Sequence, residues 1–353
     1  MRLPTHAIDP DGEVIIVLRN ANSPFAQAPG ITTPGMTLSE SSHCFKSPAE
    51  VIKISVTYPG KPTNNDPATE AQACELSIQV SAKHLIFASS VFKSILTGAW
   101  KESITYMEKG SVEITAESWD FEALLIVLNA IHGKYHQIPQ NLTLEMLAKV
   151  AVIVDYYDCK ETVYIMKDIW IGNLKEKIPT TYSRDLILWL WVSWFFQLPS
   201  QFKETTSTVM SCSGNLIDSW GLPISDKVIG LMNKLRQEAI DPWIVRLYET
   251  HDALLNGRQG CCFECTSIMY GALATQMRSG MFLWRPVAPF PYLNHRNLIR
   301  TILAFKSPGW GSSERRYGAS YNIHKCANSS FESLSANLKT SIEGLDLNSL
   351  DSL

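Results

Sequence analysis

The chain has no excess of positive charge. Its 353 residues include 31 lysines and arginines against 34 aspartates and glutamates, which gives a formal net charge of −3 and a pI near 6.3. Proteins that bind nucleic acid through its phosphates usually carry a clear basic excess or a basic patch. We therefore expect no direct binding to nucleic acid.

The chain also lacks a hydrophobic run long enough to cross a bilayer. Its most apolar stretch, Leu186–Phe196, is far shorter than the roughly 20 residues that a membrane helix needs. The first residues, MRLPTHAIDPDGEV, contain no apolar core of a signal peptide. These absences predict no membrane contact and an intracellular location, in the cytoplasm or the nucleus. The eight cysteines are then expected to be reduced thiols or metal ligands before disulfides.

Known catalytic signatures are missing as well. The sequence has no Walker A loop, no Gly-x-Gly-x-x-Gly, no Gly-x-Ser-x-Gly and no His-Glu-x-x-His. We therefore predict that the chain is not an enzyme. Its 45% of hydrophobic and 18% of charged residues are typical of a folded globular protein, and its length allows two ordinary domains.

Short strands and short helices alternate through the first half of the chain. Beta-branched residues and alternating polarity predict strands within residues 8–19, 51–58, 75–80 and 111–115. Further helices are predicted after the last of these strands and through most of the second half, where the apolar residues recur at helical spacing. This order predicts a mixed α+β first half and a helical second half.

Residues 81–97, between the predicted strands at 75–80 and 111–115, are the most informative segment. Their apolar spacing predicts two consecutive short helices with Ser89 or Ser90 at the junction, because a serine hydroxyl satisfies the backbone donors that a helix start leaves free. Gly98 is expected to end the second helix in the left-handed conformation. Four side chains should be buried in this corner: Leu85, Phe92, Ile95 and Leu96.

The element order and three motifs resemble the BTB/POZ fold. The motifs are a hydrophobic helix that ends in Ser and leads into Val-Phe (85–92), a Gly-x-x-x-Glu tail (98–102) and the helix "VAVIVDYYDC" (150–159). The chain as a whole is most similar to fungal BTB/POZ domain-containing proteins with an uncharacterised helical C-terminal half. The resemblance implies a small mixed sheet flanked by helices, followed by a mainly α-helical domain.

The same resemblance implies the domain limits. It places a BTB/POZ domain at residues 8–175, with a Pro-rich insertion at about 20–75, and the helical domain at residues 176–353. Ser81-Ala82 departs from the family pattern, since many members have His followed by Arg or Lys there. Glu13 stands where an Asp often begins the first strand. A dimer contact through that charged pocket is therefore not implied.

The resemblance also implies the function. BTB domains self-associate or recruit protein partners, and some are substrate adaptors of cullin-RING ubiquitin ligases. Such adaptors often present a hydrophobic-x-Glu element after the corner, and Trp100-Lys101-Glu102 matches it. Trp100 and Glu102 are therefore the candidate partner-binding residues, predicted at an exposed edge. The alternative within this class is a transcriptional regulator or co-repressor scaffold, although the sequence has no tandem zinc fingers or basic region.

Cysteine and histidine residues predict a metal site in the second half. Cys262 and Cys265 have Cys-x-x-Cys spacing, and His324 and Cys326 can face the same side of an extended segment. Two such pairs supply the four ligands of a tetrahedral Cys3His zinc site. Cys261 is predicted to face away, because neighbouring residues rarely both reach one metal.

Other interpretations of these four residues stay open. They can be plain buried thiols, a redox pair, or the centre of a thiol or zinc-dependent enzyme. A structural site would join the helix after Cys265 to a predicted C-terminal amphipathic helix, whose apolar stripe is Phe331, Leu334, Leu338 and Ile342.

Overall fold

The six residues Val14–Arg19 form the central strand, β2, in the computed structural model of the protein. The structure describes residues 4–28, 76–311 and 324–350. Within them the fold is α+β, with one four-stranded sheet and eleven α-helices. The predicted insertion at 20–75 lies outside the described residues from position 29 onward.

The chain forms two compact units. The first comprises Met1–Ile178, Ile187–Gln197 and Ser219–Pro223, and the second comprises Pro179–Leu186, Leu198–Asp218 and Ile224–Leu353.

A mixed sheet forms the centre of the first unit. Its strands lie in the order β1-β3-β2-β4, where β1 is His6–Ala7, β3 is Leu76–Val80 and β4 is Val112–Glu117. β2 pairs antiparallel with β3 and parallel with β4, and β1 pairs parallel with β3. The first five residues of β2 are buried, as expected for a central strand covered on both faces. The strands predicted within 8–19, 75–80 and 111–115 are confirmed, and the one predicted at 51–58 lies outside the described residues.

Helices cover this sheet. Two of these helices, Phe121–Ile131 and Leu144–Tyr156, consist mostly of buried apolar residues. A third apolar helix contributes Trp191, whose Nε1 donates to the carbonyl of Ala148 at 3.2 Å. The helices are α1 Ala82–Ala88, α2 Ser90–Thr97, α3 Lys101–Lys109, α4 Phe121–Ile131, α5 Leu144–Tyr156, α6 Lys167–Asn173 and α7 Arg184–Phe195.

The two-helix corner is confirmed, with Ser89 at its junction. The Ser89 hydroxyl accepts a hydrogen bond from the amide of Phe92 at 3.0 Å and caps α2. Leu85, Phe92 and Leu96 are buried, but Ile95 is half-buried and its predicted burial is wrong. Gly98 has φ of −81°, so its predicted left-handed conformation is wrong too.

The corner is attached to the C-terminal end of α5. The hydroxyl of Ser89 donates to the carbonyl of Tyr157, and that of Ser90 donates to Asp158. The rings of Phe92 and Tyr157 stack with centroids 4.3 Å apart and an interplanar angle of 9°. The two most informative motifs of the first half therefore contact each other.

Side chains from other elements complete the start of α1. The amide of Ala82 donates to the Glu13 carboxylate at 3.0 Å, and that of Ser81 donates to His132 Nε2 at 3.0 Å. The other ring nitrogen of His132 lies 2.7 Å from the carbonyl of Leu128. Nδ1 must then carry the proton, and desolvation by burial lowers the pKa of His132, which favours this neutral form.

The second unit is built from four helices and their connections. They are α8 Pro199–Cys212, α9 Asp226–Leu255, α10 Phe263–Ser279 and α11 His295–Leu303. A continuous core joins α9, α10 and α11 through buried apolar side chains, among them Trp243, Leu247, Met269, Leu273 and Leu298. Among the described residues, no helix of either unit combines the length and the apolar character that crossing a bilayer requires.

A buried arginine holds the connection between α10 and α11. Arg236 is 0% exposed and donates to the carbonyls of Ser213, Pro289, Phe290 and Leu293 at 2.6–3.1 Å. Within the described part of the chain these carbonyls are its only hydrogen-bond partners, and they replace the carboxylate that a buried cation usually needs.

The predicted C-terminal amphipathic helix is wrong, although its residues do pack on the second unit. Phe331 and Leu334 belong to the core, but around them the described chain forms only the short 3-10 helices Glu332–Leu334 and Leu347–Ser349. The tail is instead fastened to α8: the amide of Leu345 donates to Thr206 at 2.9 Å. A Cβ at Gly344 would lie 1.7 Å from a backbone oxygen of that helix, so only glycine permits this approach.

We expect Phe92→Ala to destabilise the first unit by about 3–5 kcal/mol, since it removes a fully buried ring and leaves a cavity. Phe87→Ala is the matched control, because Phe87 is 95% exposed and its loss should change stability by less than about 0.5 kcal/mol. The measurement is the free energy of unfolding from denaturant titration. Equal effects of the two substitutions would contradict the described corner.

We expect His295 to make the second unit sensitive to acid. Desolvation by burial, followed by the charge of Arg236, lowers the pKa of His295 to about 4, whereas an unfolded histidine titrates near 6.5. The unfolded chain therefore binds the proton first, and stability is lost as the pH falls from about 6.5 to about 4.

The loss at this one group amounts to about 3 kcal/mol at most. His295→Leu removes the titration and also the buried Nε2 that has no partner within the described residues. Denaturant unfolding at pH 7 and pH 4.5 should show a smaller acid loss for His295→Leu than for the wild type. The same acid loss in both proteins would exclude a depressed His295 pKa.

Candidate metal centre

The first arm of the centre lies at the start of α10. Cys262 is the N-cap residue, and its sulfur accepts from the amide of Cys265 at 3.5 Å. Cys265 lies in the first turn and is fully buried, while Cys261 precedes the cap and is exposed. The beginning of the helix thus brings three sulfurs close together.

The second arm is the segment that contains His324 and Cys326. The hydroxyl of Ser329 accepts from the amide of Cys326 at 3.0 Å and donates to its carbonyl at 2.8 Å, which holds a tight turn. The amide of His324 donates to the carbonyl of Trp310 at 2.7 Å. The His324 imidazole stacks on the Trp310 indole with centroids 4.6 Å apart. Both side chains of this arm are therefore positioned by local contacts.

The two arms meet around one point. Cys261 Sγ lies 3.3 Å from His324 Nε2, and Cys265 Sγ lies 3.7 Å from Cys326 Sγ. All four ligand atoms lie within 4.8 Å of one another. A tetrahedron with metal–sulfur bonds of about 2.3 Å has edges of about 3.8 Å. The cluster therefore has the composition and the spacing of a Cys3His metal site.

The cluster differs from the predicted set at one position. Cys265, His324 and Cys326 come together as predicted, but the fourth ligand atom belongs to Cys261 and not to Cys262. The reason is the helix start: the Cys262 sulfur is turned back over the amide of Cys265 as a cap. It lies 3.9 Å from the Cys261 sulfur, next to the centre. Recognising Cys262 as the N-cap would have indicated Cys261 as the ligand.

The thiols of the cluster differ in acidity. The hydrogen bond with His324 lowers the pKa of Cys326 to about 6. Desolvation, followed by the hydrogen bonds to Cys326, Cys262 and Cys265, raises the pKa of Cys261 to about 12. The metal-free cluster therefore keeps protons that a bound cation would displace.

The candidate partner-binding residues lie in the first unit, at the start of α3. Trp100 is the N-cap residue of this helix and Glu102 lies in its first turn. The sequence predicts both at an exposed edge, and in the structure both are half-buried. Two side chains that the sequence analysis missed are more accessible: Ile104 and Met107 are 52% and 73% exposed. The sequence contained a signal for both residues, because they are apolar and interrupt the polar face of a short helix.

Comparison of the chain with protein-family models, with curated proteins and with solved structures finds no match. The chemistry of the centre therefore follows from the geometry of its own residues.

We expect the chain to bind one divalent metal ion and to lose it when a ligand is removed. Cys261→Ser and Cys265→Ser should each weaken binding of Zn²⁺ by tenfold or more, measured by competition with a chromogenic chelator. Cys262→Ser is the matched control and should bind normally, because serine is also a good N-cap. Loss of metal in Cys262→Ser together with retention in Cys261→Ser would restore the ligand set that the sequence predicted.

Proposed function

We propose that this chain is a non-enzymatic protein-interaction protein, with a BTB/POZ domain as its first unit and a zinc-stabilised helical domain as its second. The BTB/POZ domain self-associates or recruits a protein partner, and the partner we propose is a cullin. On this proposal the chain is a substrate adaptor of a ubiquitin ligase.

The observation that carries the proposal is the contact between Ser89 and Tyr157. It joins the corner of α1 and α2 to the end of α5, and these are the two segments whose residues resemble BTB/POZ domains. The order of the elements supports the same assignment: two antiparallel strands, the helix pair, a strand parallel to the first of them, and then further helices. A local sequence match and a tertiary contact thus agree.

Helix α3 supplies the surface for the proposed cullin contact. Trp100 and Glu102 match the hydrophobic-x-Glu element, and Ile104 and Met107 leave apolar surface in water on the same helix. Exposed apolar side chains that lie together are a feature of protein-binding surfaces. Phe87, at the end of α1, is 95% exposed and adds apolar surface to this unit.

We propose Zn²⁺ as the ion of the metal centre, with a structural role. Thiolate and imidazole ligands in a tetrahedral arrangement suit zinc. Protein side chains supply all four ligand atoms, whereas a catalytic zinc keeps a position open for water or substrate. The same completeness disfavours a thiol or zinc-dependent enzyme.

Binding of the purified chain to the N-terminal domain of a fungal cullin tests the adaptor function. We expect micromolar or tighter binding in calorimetry, weakened at least tenfold by Glu102→Lys and by Met107→Asp. The first reverses the charge of the motif and the second makes apolar contact unfavourable. Glu122→Lys is the matched control, since Glu122 is exposed on α4 and outside the proposed surface.

Two further measurements complete this test. A known adaptor serves as the positive control for the cullin, and light scattering measures self-association of the wild type. Failure to bind the cullin beside a working control removes the adaptor function, and a monomer that also binds no cullin removes the BTB assignment as well. Retention on double-stranded DNA would instead favour the transcriptional regulator.

A further inference from the structure

The connection between α10 and α11 presents an unusual amount of apolar surface. We call residues Met281–Tyr292 the apolar loop. Five of its large side chains are mostly exposed: Met281 89%, Leu283 64%, Trp284 82%, Val287 73% and Tyr292 90%. Single exposed apolar residues are ordinary on protein surfaces, but a contiguous group of them marks an interaction site.

Buried side chains and hydrogen bonds fix the backbone of the apolar loop. Phe282 and Phe290 are buried and anchor it to the core. The guanidinium of Arg236 donates to the carbonyls of Pro289 and Phe290 at 2.9 and 3.0 Å, and the Tyr248 hydroxyl donates to that of Phe282 at 2.8 Å. A loop whose backbone is fixed in this way pays little ordering entropy when a partner binds.

The sequence around the loop is basic. From Cys265 to Ser313 the sequence contains four arginines and one lysine and no aspartate or glutamate, although the chain as a whole is acidic. Arg278 and Arg285 are exposed, and neither forms an ion pair within the described residues. The guanidinium of Arg285 lies over the Tyr248 ring, 5.7 Å from its centroid. The charge is thus available to an anionic partner.

The end of the loop at Ala288 and Phe290 lies beside negative charge, which limits the kind of partner. Ala288 and Phe290 line an open depression together with Glu238 and Asp241 of α9. A bilayer or a nucleic-acid backbone is negative throughout, and it would approach these carboxylates as well as the arginines. A peptide segment can place its carboxylates on the arginine side alone.

We propose that the apolar loop is the docking surface for an acidic segment of a partner protein that also carries apolar side chains. The carboxylates of that segment pair with Arg278 and Arg285, and its apolar side chains contact Leu283 and Trp284. The loop belongs to the second unit, so its function does not depend on the function proposed for the first.

A designed peptide pair tests this surface. The probe is a fluorescein-labelled synthetic peptide in which pairs of glutamates alternate with leucine and phenylalanine, and its partner has lysine in place of each glutamate. Fluorescence anisotropy with the full chain should show at least tenfold tighter binding of the glutamate peptide. Trp284→Ala should weaken that binding at least fivefold, and the double variant Arg278→Glu/Arg285→Glu should reverse the preference between the two peptides.

Controls separate this surface from others. Leu255→Ser and Lys83→Glu change an exposed apolar and an exposed basic residue elsewhere, and both should leave the affinity within twofold of wild type. No preference for the glutamate peptide, or an unchanged affinity in Trp284→Ala, overturns the proposal. It is also overturned if phosphatidylserine vesicles or single-stranded DNA, and not the peptide, show binding that depends on Trp284.

Discussion

The arrangement of the first unit depends on one hydroxyl group. Ser89 ends α1, caps α2 and donates to the carbonyl of Tyr157, so one side chain fixes a turn and also joins it to a distant helix. A serine at this place satisfies polar groups that the junction of two helices would otherwise leave buried and unpaired. The stacked rings of Phe92 and Tyr157 can then close over the junction and exclude water, which strengthens the hydrogen bonds beneath them.

The second unit is organised by polar groups in a different way. Its connections are long, and regular helix packing alone does not define them. Arg236 collects four carbonyls from two separate connections, and the cluster of Cys261, Cys265, His324 and Cys326 joins the start of α10 to a segment far along the chain. In each arrangement, directional contacts offset the conformational entropy that is lost when a long connection is ordered. A bound metal would add its binding free energy to the contacts of the Cys3His cluster.

The sequence predicts the local features of this protein and misses those that depend on distant contacts. The corner at residues 81–97 could be predicted because capping and apolar spacing act within a few residues. The choice of Cys261 over Cys262 depends on which residue begins α10, and helix boundaries are uncertain by one or two residues in any sequence-based prediction. The tail that contains Phe331 has helical spacing but no α-helix, and side chains of α8 and α9 form hydrogen bonds with its backbone instead. The spacing of the apolar residues does not reveal such competition between hydrogen bonds within a helix and hydrogen bonds to distant side chains.

The way in which polar groups are used favours recognition over catalysis. An active site needs polar groups that are aimed into a cavity and left free to act on a substrate. In the described part of this chain the most strongly organised polar groups hold backbone or one another: Ser89 holds a turn, Arg236 holds carbonyls, and the thiols meet an imidazole. Large apolar side chains also remain in contact with water, on α3 and on the apolar loop, where Met107 and Trp284 are 73% and 82% exposed. Leaving such surface in water costs free energy that burial against a partner recovers, and this is the physical basis of the binding that we propose for both units.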